Sequence, residues 1–394
     1  MKLLISTGEV SGDLQGSLLI KALKANAEKR KIKLDIIALG GERMRDAGAE
    51  LISNTSSIGA IGFLEAIPYV LPTLNAQSKI DNYLNCSPPD AVVLIDYMGP
   101  NIRLGLKIKK TFPNIPIIYY IAPQEWAWRL GDSGTTDLIN FTDKILAIFE
   151  EEAKFYSNKG GNVRFVGHPM LDFYKDIPNR EEALKKIGLT SDQKLLLLIP
   201  ASRKQELKYI LPTLLQAAKL LQEKDPSIIV FIPSGLKEFD ALLNHSLKEY
   251  GLTGKVIRSD EVDNIKPFLF SAAHLALAKS GTINMELALN SVPQIVGYKV
   301  SRVTAFFARY LLRFNVKYIS PVNLLLNKML IPEFIQEDFK AEKIFNAALK
   351  IIEDSPTNED IIIGYERLKD KLGKPGVTDR ASKDILDLIS KWFL

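Results

Sequence analysis

Short, unbroken runs of β-branched and other apolar residues alternate with amphipathic stretches through most of the chain. Leu3–Thr7 precedes a helical pattern over Gly16–Ala27, Leu34–Leu39 precedes one over Glu42–Ala47, and Ala91–Ile95 precedes one over Ile102–Thr111. Ile117–Ile121, Lys144–Phe149 and Val163–Val166 follow. Apolar runs of this kind, without polar alternation, predict strands of a parallel sheet covered on both faces. A second series opens after the charged segment Asp176–Lys186, with Lys194–Ile199, Ile228–Ile232, Lys255–Ile257, Leu275–Ala278 and Gln294–Gly297. The pattern predicts an α/β chain of two doubly wound, Rossmann-like domains, residues 1–172 and 173–360, facing each other across a cleft. Residues 361–394 read as an amphipathic helical tail, interrupted at Gly373–Gly376. The tail is expected to pack on an N-terminal domain, its own or that of a second copy, which leaves a homodimer open.

Ligands of open parallel sheets sit beyond the carboxyl ends of the strands. The segments that follow the predicted strands therefore hold the candidate chemistry. Leu277–Leu289 reads as a strand end, a turn at Ser280, Gly281 and Thr282, and a helix opening near Thr282. Small residues let a phosphate approach backbone N–H groups, and a helix start favours negative charge. Glu286 lies one helical turn on and can face the same ligand; a plain strand-to-helix turn capped by Thr282 explains the same pattern. In Pro200–Glu206, Arg203 can reach a diphosphate in bidentate fashion, with Ser202 as cap and Glu206 as its holder. The first loop, Gly8–Asp13, combines glycines with Glu9, Ser11 and Asp13. Its acids would repel a diphosphate, so it suits sugar hydroxyls; Ser11 or Asp13 could equally cap a helix. Asp96 ends a strong strand and is a candidate general base, or else a turn cap. Gln124–Arg129 places two Trp and an Arg after a strand, as a stacking wall or as packing at a domain edge. Asn323 is a polar residue among apolar ones and could bond a base or sugar, or be a satisfied buried amide.

Composition narrows the classes. The chain has 394 residues, 46% hydrophobic and 25% charged, enough for two cores. The single cysteine, Cys86, and three scattered histidines, His168, His245 and His274, argue against a disulfide framework or a structural zinc site and fit a reducing cytoplasm. A net charge of +5 could favour phosphates, nucleic acid or an anionic membrane. Lys and Arg are spread along helix patterns rather than clustered, and no nucleic-acid-binding motif is present, so nucleic acid is the weaker reading. No apolar stretch is long enough to span a bilayer. Residues Ile58–Leu74, with Ile61, Phe63, Leu64, Ile67, Val70 and Leu71, carry few charges and contain Pro68 and Pro72. If exposed, such a patch would enter a membrane interface or hold acyl chains; otherwise it is a core helix.

Taken in order, GEVSGD at 8–13, GGERMRDAG at 40–48, GAIGFLEAIP at 59–68, PDAVVLID at 89–96, PQEWAWR at 123–129, VGHPMLD at 166–172, SRKQE at 202–206, SGTINMELAL at 280–289 and SPVNLL at 320–325 resemble the lipid-A-disaccharide synthase family across nearly the whole chain. The resemblance implies a GT-B fold and a glycosyltransferase without metal or other cofactor. It implies transfer of 2,3-diacylglucosamine from UDP-2,3-diacylglucosamine to 2,3-diacylglucosamine 1-phosphate, with a β-1,6 disaccharide 1-phosphate and UDP as products. It also implies peripheral attachment to the inner membrane from the cytoplasmic side. Arg203 and Glu286 match donor-binding residues, Glu9 and Ser11 match polar residues of the first loop, and Asn323 matches an Asn of the UDP site. Asp90 and Asp96 match acidic positions. One departure stands out: the family shows D-x-P-D-F-N where this chain has Asp96-Tyr97-Met98-Gly99-Pro100-Asn101, so Gly99 replaces a carboxylate that is itself a candidate base. Ala201 replaces the usual Gly before Ser-Arg. Asp96 is then the first choice for the base and Glu9 the second. Other readings are a GT-B enzyme with another acceptor, a UDP-N-acetylglucosamine 2-epimerase, and a nucleotide-sugar binder without catalysis.

Overall fold

The computed structural model describes residues 1–8, 10–55, 70–126, 133–173, 177–200, 204–301 and 317–392; at 10, 70–74, 77, 133, 204 and 205 only the backbone is considered. The chain forms two units, one of Met1–Phe173 with Lys371–Leu394 and one of Tyr174–Asp370.

The first unit is built on a seven-stranded parallel sheet in the order β3-β2-β1-β4-β5-β6-β7. Its strands are β1 Lys2–Ser6, β2 Asp35–Gly40, β3 Glu50–Asn54, β4 Ala91–Ile95, β5 Ile117–Tyr120, β6 Lys144–Ala147 and β7 Val163–Phe165. Every residue of β4 is buried, as are Leu3, Leu4 and Ile5 of β1, which is why these strands are apolar without alternation. The edge strand β3 was not anticipated. Its sequence, Glu-Leu-Ile-Ser-Asn, has only half-buried or exposed positions and so lacks the apolar run that marks a central strand.

The last helix, Val377–Trp392, packs on the first, Val10–Lys29. Ala381, Ile385, Leu386 and Ile389 give it a buried stripe at helical spacing. Asn26 donates to Asp379 (3.0 Å) and Ser382 (2.6 Å), and Arg164 pairs with Asp384. Asp172 accepts from the N–H groups of Gly376, Val377 and Thr378 and from the Thr378 hydroxyl, capping this helix. Burial pushes the Asp172 carboxyl upward, but those four bonds outweigh it and hold the group below its ordinary value. The helix Ser355–Leu372 stops before Gly373, which has φ +94°. Residues 361–370, expected with the tail, instead belong to the second unit, where Tyr365 is fully buried.

The second unit has a six-stranded parallel sheet, order β10-β9-β8-β11-β12-β13. The strands are β8 Lys194–Ile199, β9 Ile228–Pro233, β10 Gly254–Ile257, β11 Ala273–Lys279, β12 Gln294–Tyr298 and β13 Glu333–Ile335. The three-residue edge strand β13 escaped the sequence pattern for the same reason as β3. In each sheet the strand order reverses once, between β1 and β4 and between β8 and β11. Such a switch point opens a crevice at the strand C-termini, where two successive connections leave in opposite directions.

Candidate functional site

In the first unit the β1 and β4 ends carry tightly fitted backbone. A Cβ on Gly8 would lie 2.0 Å from the Tyr97 ring, and one on Gly12 would lie 1.9 Å from the Thr7 hydroxyl. Glycine is what lets these two loops meet. Ser11 is exposed in the first turn of the helix Val10–Lys29, while Glu9 lies outside the described residues. Asp13 is a cap, though not of its own helix. It is buried and accepts from Gly41 N (2.8 Å), Met44 N (3.1 Å) and Arg43 N (3.2 Å), fixing the start of the helix Glu42–Asp46.

Asp96 and Tyr97 are both left-handed, with φ +47° and +53°. Consecutive non-glycine residues in this region cost roughly 1–3 kcal/mol each and persist only when the surroundings over-determine them. Here they do. The buried Asn101 amide donates to the carbonyls of Ser6 (3.2 Å), Ile95 (3.1 Å) and Asp96 (2.9 Å), and its oxygen accepts from the Ser6 hydroxyl (2.7 Å). The Tyr119 hydroxyl donates to the same Asp96 carbonyl (2.8 Å), and Asp96 N donates to Ile121 O (3.1 Å). Thus Asp96 is held at the switch point by its backbone. Gly99 is different: a Cβ there would meet nothing within 4 Å among the described residues.

Next along the sheet, Ile121 also has positive φ (+59°), an outlier for a β-branched residue. The loop after it is tied down by Glu152. This fully buried carboxyl accepts from Ala122 N (3.1 Å), Ile148 N (2.9 Å) and Phe149 N (3.3 Å). Burial pushes it up to about 8, against the downward pull of those N–H groups. Glu125 is buried and accepts from the Thr135 hydroxyl. The Trp126 ring meets Phe149 at 5.7 Å, tilted by 58°, and Phe149 meets His168 at 5.1 Å. Burial lowers His168 to about 4, so the ring is neutral at pH 7 and acts as packing and as acceptor from Met170 N (3.2 Å). Trp128 and Arg129 lie outside the described residues.

In the second unit the turn after β11 is built much as expected. Ser280 donates to Ile319 O (2.5 Å), which holds the turn against the segment leading into Ser320. The short helix Ile283–Leu289 follows Thr282, but Thr282 makes no side-chain cap. Asn284 does that work, accepting from Gly281 N (2.8 Å) while its amide donates to Gln294 (2.9 Å). Glu286 is mostly buried and pairs with Lys266 at 2.7 Å. Lys279, the last residue of β11, pairs with Glu206 at 3.0 Å, so Glu206 has a cationic partner other than the expected Arg203. Ser202 and Arg203 lie outside the described residues.

Asn323 is a satisfied buried amide. Its nitrogen donates to Ile331 O (2.8 Å) and Glu333 (2.7 Å), and its oxygen accepts from Leu330 N (2.8 Å) and Ile331 N (3.0 Å). All its polar valences are used inside the fold. Sequence reasoning missed Asn101, Glu152, Lys266 and Lys279. The last ends a strand at a switch point and was visible there; the others depend on contacts distant in sequence.

The two parallel sheets, each with its candidate loops at a switch point, are those of the GT-B class. A glycotransferase of kitacinnamycin superposes with a TM-score of 0.63 at 14% identity, covering 99% of this chain and 98% of that one. The UDP-GlcNAc 2-epimerase of Neisseria meningitidis, solved with UDP-GlcNAc, superposes with a TM-score of 0.60 at 15% identity, covering 99% and 100%. Sequence narrows the class. The chain belongs to the lipid-A-disaccharide synthetase family, whose model matches residues 3–380. It is 57% identical over 388 residues to the lipid-A-disaccharide synthase of Prochlorococcus marinus (strain MIT 9313), covering 98% of this chain and 99% of that protein.

Proposed function

We propose that the chain transfers 2,3-diacylglucosamine from its UDP form to 2,3-diacylglucosamine 1-phosphate, inverting the anomeric centre. The observation that carries this reading is the family match over residues 3–380, together with 57% identity to a synthase along nearly its full length. In the reaction the acceptor hydroxyl attacks C1 of the donor. The bond from C1 to the diphosphate breaks, the new glycosidic bond forms, and the hydroxyl proton passes to a carboxylate. Asp96 takes that proton: it directly follows β4 at the switch point, and its backbone is clamped by Asn101 and Tyr119. Glu9 is the second choice. Charge developing on the leaving UDP is met by Arg203 and by the turn of Ser280, Gly281 and Thr282 ahead of the helix Ile283–Leu289. Glu286 holds the ribose, and Asn323 shapes the adjoining wall. Ser11 belongs with the sugar-binding first loop. No metal and no other cofactor takes part.

Among the described residues no helix is long and apolar enough to cross a membrane. We place the protein at the cytoplasmic face of the inner membrane, held by Ile58–Leu74. That segment lies outside the described residues to 69 and is described by backbone alone over 70–74. The deciding experiment is turnover of UDP-2,3-diacylglucosamine with 2,3-diacylglucosamine 1-phosphate, with disaccharide and UDP quantified together. Equal appearance of both supports the reading. Interconversion of UDP-N-acetylglucosamine epimers, or donor binding without turnover, replaces it.

A further inference from the structure

A cavity of about 230 Å³ lies beside the β1–β4 switch point of the first unit. Its apolar walls come from Leu39, from Ala76 and Ile80 on the helix Val70–Cys86, and from Tyr97, Pro100 and Leu104. Two further observations point to an amphiphilic occupant. The Thr7 hydroxyl lines the cavity, is buried and has no hydrogen-bond partner among the described residues. A buried polar atom without a partner is uncommon and marks a place where a ligand or water completes the bonding. The charges are also uneven. Lys107 is neutralised by Asp81 at 2.5 Å, whereas Arg103, one helical turn before Lys107 and also lining the cavity, has no ion-pair partner among the described residues. The site therefore combines an apolar interior with one unneutralised guanidinium, a fork suited to phosphate.

We propose that this cavity takes an acyl chain of the sugar-phosphate acceptor while Arg103 pairs with its phosphate, an assignment that rests on the transferase reading. The charge complementarity selects an anionic amphiphile over a neutral lipid, and the hydrocarbon walls select it over a free anion.

The test uses the full-length protein and a series of n-alkyl phosphates from butyl to decyl, below their micelle concentrations, with inorganic phosphate and the matching alcohols as controls, read by calorimetry. Affinity should rise about fourfold per methylene until the cavity is filled, as expected for a CH₂ leaving water. Arg103→Gln, on an exposed helix position, should weaken the phosphates by roughly tenfold and leave the alcohols unchanged. Ala76→Phe should end the chain-length dependence at a shorter chain; if it does not fold, Arg103→Gln and the length series decide alone. Inorganic phosphate binding as tightly as decyl phosphate, a flat length series, or an unaltered Arg103→Gln variant would overturn the proposal. Acceptor turnover is measured beside these. A wild-type protein that binds decyl phosphate but transfers nothing removes the transferase reading and leaves the cavity as an alkyl-phosphate site. An active enzyme whose acceptor KM is unmoved by Arg103→Gln removes the acceptor assignment and leaves the transferase.

Discussion

Restoring the missing carboxylate, Gly99→Asp, is the most informative single change. Position 99 is the second residue of the helix Met98–Thr111, and a Cβ there meets nothing within 4 Å among the described residues, so the side chain meets no steric cost from them. Replacing Gly by Asp within a helix gains roughly 0.3 kcal/mol of propensity. A negative charge in the first turn adds about 0.3–1 kcal/mol. Against this stands repulsion from Asp96, about 1 kcal/mol if the two carboxylates lay 4 Å apart in water and less at longer range. The balance runs from a loss of about 0.4 to a gain of about 1.3 kcal/mol, which for a unit of this size is a melting shift of roughly −2 to +5 °C. Calorimetry on the purified protein checks this. A fall of several degrees would mean that position 99 is not open and that the local geometry has been misread. The same variant tests the base. Positioned proton transfer contributes on the order of 10²–10⁴ in rate, so Asp96→Asn alone should cost at least about 100-fold in single-turnover transfer, with donor affinity little changed. In the Gly99→Asp background the loss from Asp96→Asn should shrink, because a second carboxylate is at hand. Equal losses in both backgrounds would show that position 99 cannot serve. Full activity of Asp96→Asn would move the role to Glu9.

Three further outcomes are expected. Arg203→Ala should lower transfer by a factor set by about 3 kcal/mol in the transition state while melting normally; rates within a few-fold of wild type would remove it from the site. Asn101→Ala strips hydrogen bonds from buried carbonyls of Ser6 and Ile95 and should lower stability on the order of 2–4 kcal/mol, with kcat falling more than KM because Asp96 loses its clamp; an unchanged melting curve would contradict the network. Glu152 titrates near 8 when folded because of burial and in the ordinary carboxylate range when unfolded. The folded state therefore binds its proton more tightly. The stability this contributes is full at pH 4 and is lost as pH rises toward 8, so wild type should weaken relative to Glu152→Gln between pH 5 and 8, and parallel stability curves would refute the shift.

Both central sheets were legible because each buried strand announces itself as an unbroken apolar run, from Leu3–Ile5 to Leu275–Ala278. The edge strands β3 and β13 were not, since none of their positions is fully buried. The strand-end location of Asp96 and of the Ser280–Thr282 turn could be read directly, because a strand followed by small or acidic residues is a local pattern. What Asp96 is held by could not. Asn101 reaches it across a turn but also binds Ser6, far away in sequence, and nothing local marks that contact. Asn323 shows the converse: a polar residue among apolar ones suggested a ligand contact, and the backbone of Leu330 and Ile331 with the Glu333 carboxylate absorbed every bond it can make.

The return of residues 371–394 to the first unit has a consequence for how this protein is made. The helix Val377–Trp392 covers the helix Val10–Lys29, so two stretches far apart in the chain build one core, with Tyr174–Asp370 inserted between them. While the chain is still on the ribosome, the inserted unit has all its own residues before the first unit has its last. The part made first must wait with an uncovered helix face and with Asn26 and Asp172 short of their partners until residues 376–392 have been made. A premature stop shortly before Val377 would thus spare the later-encoded unit and cripple the one translated first.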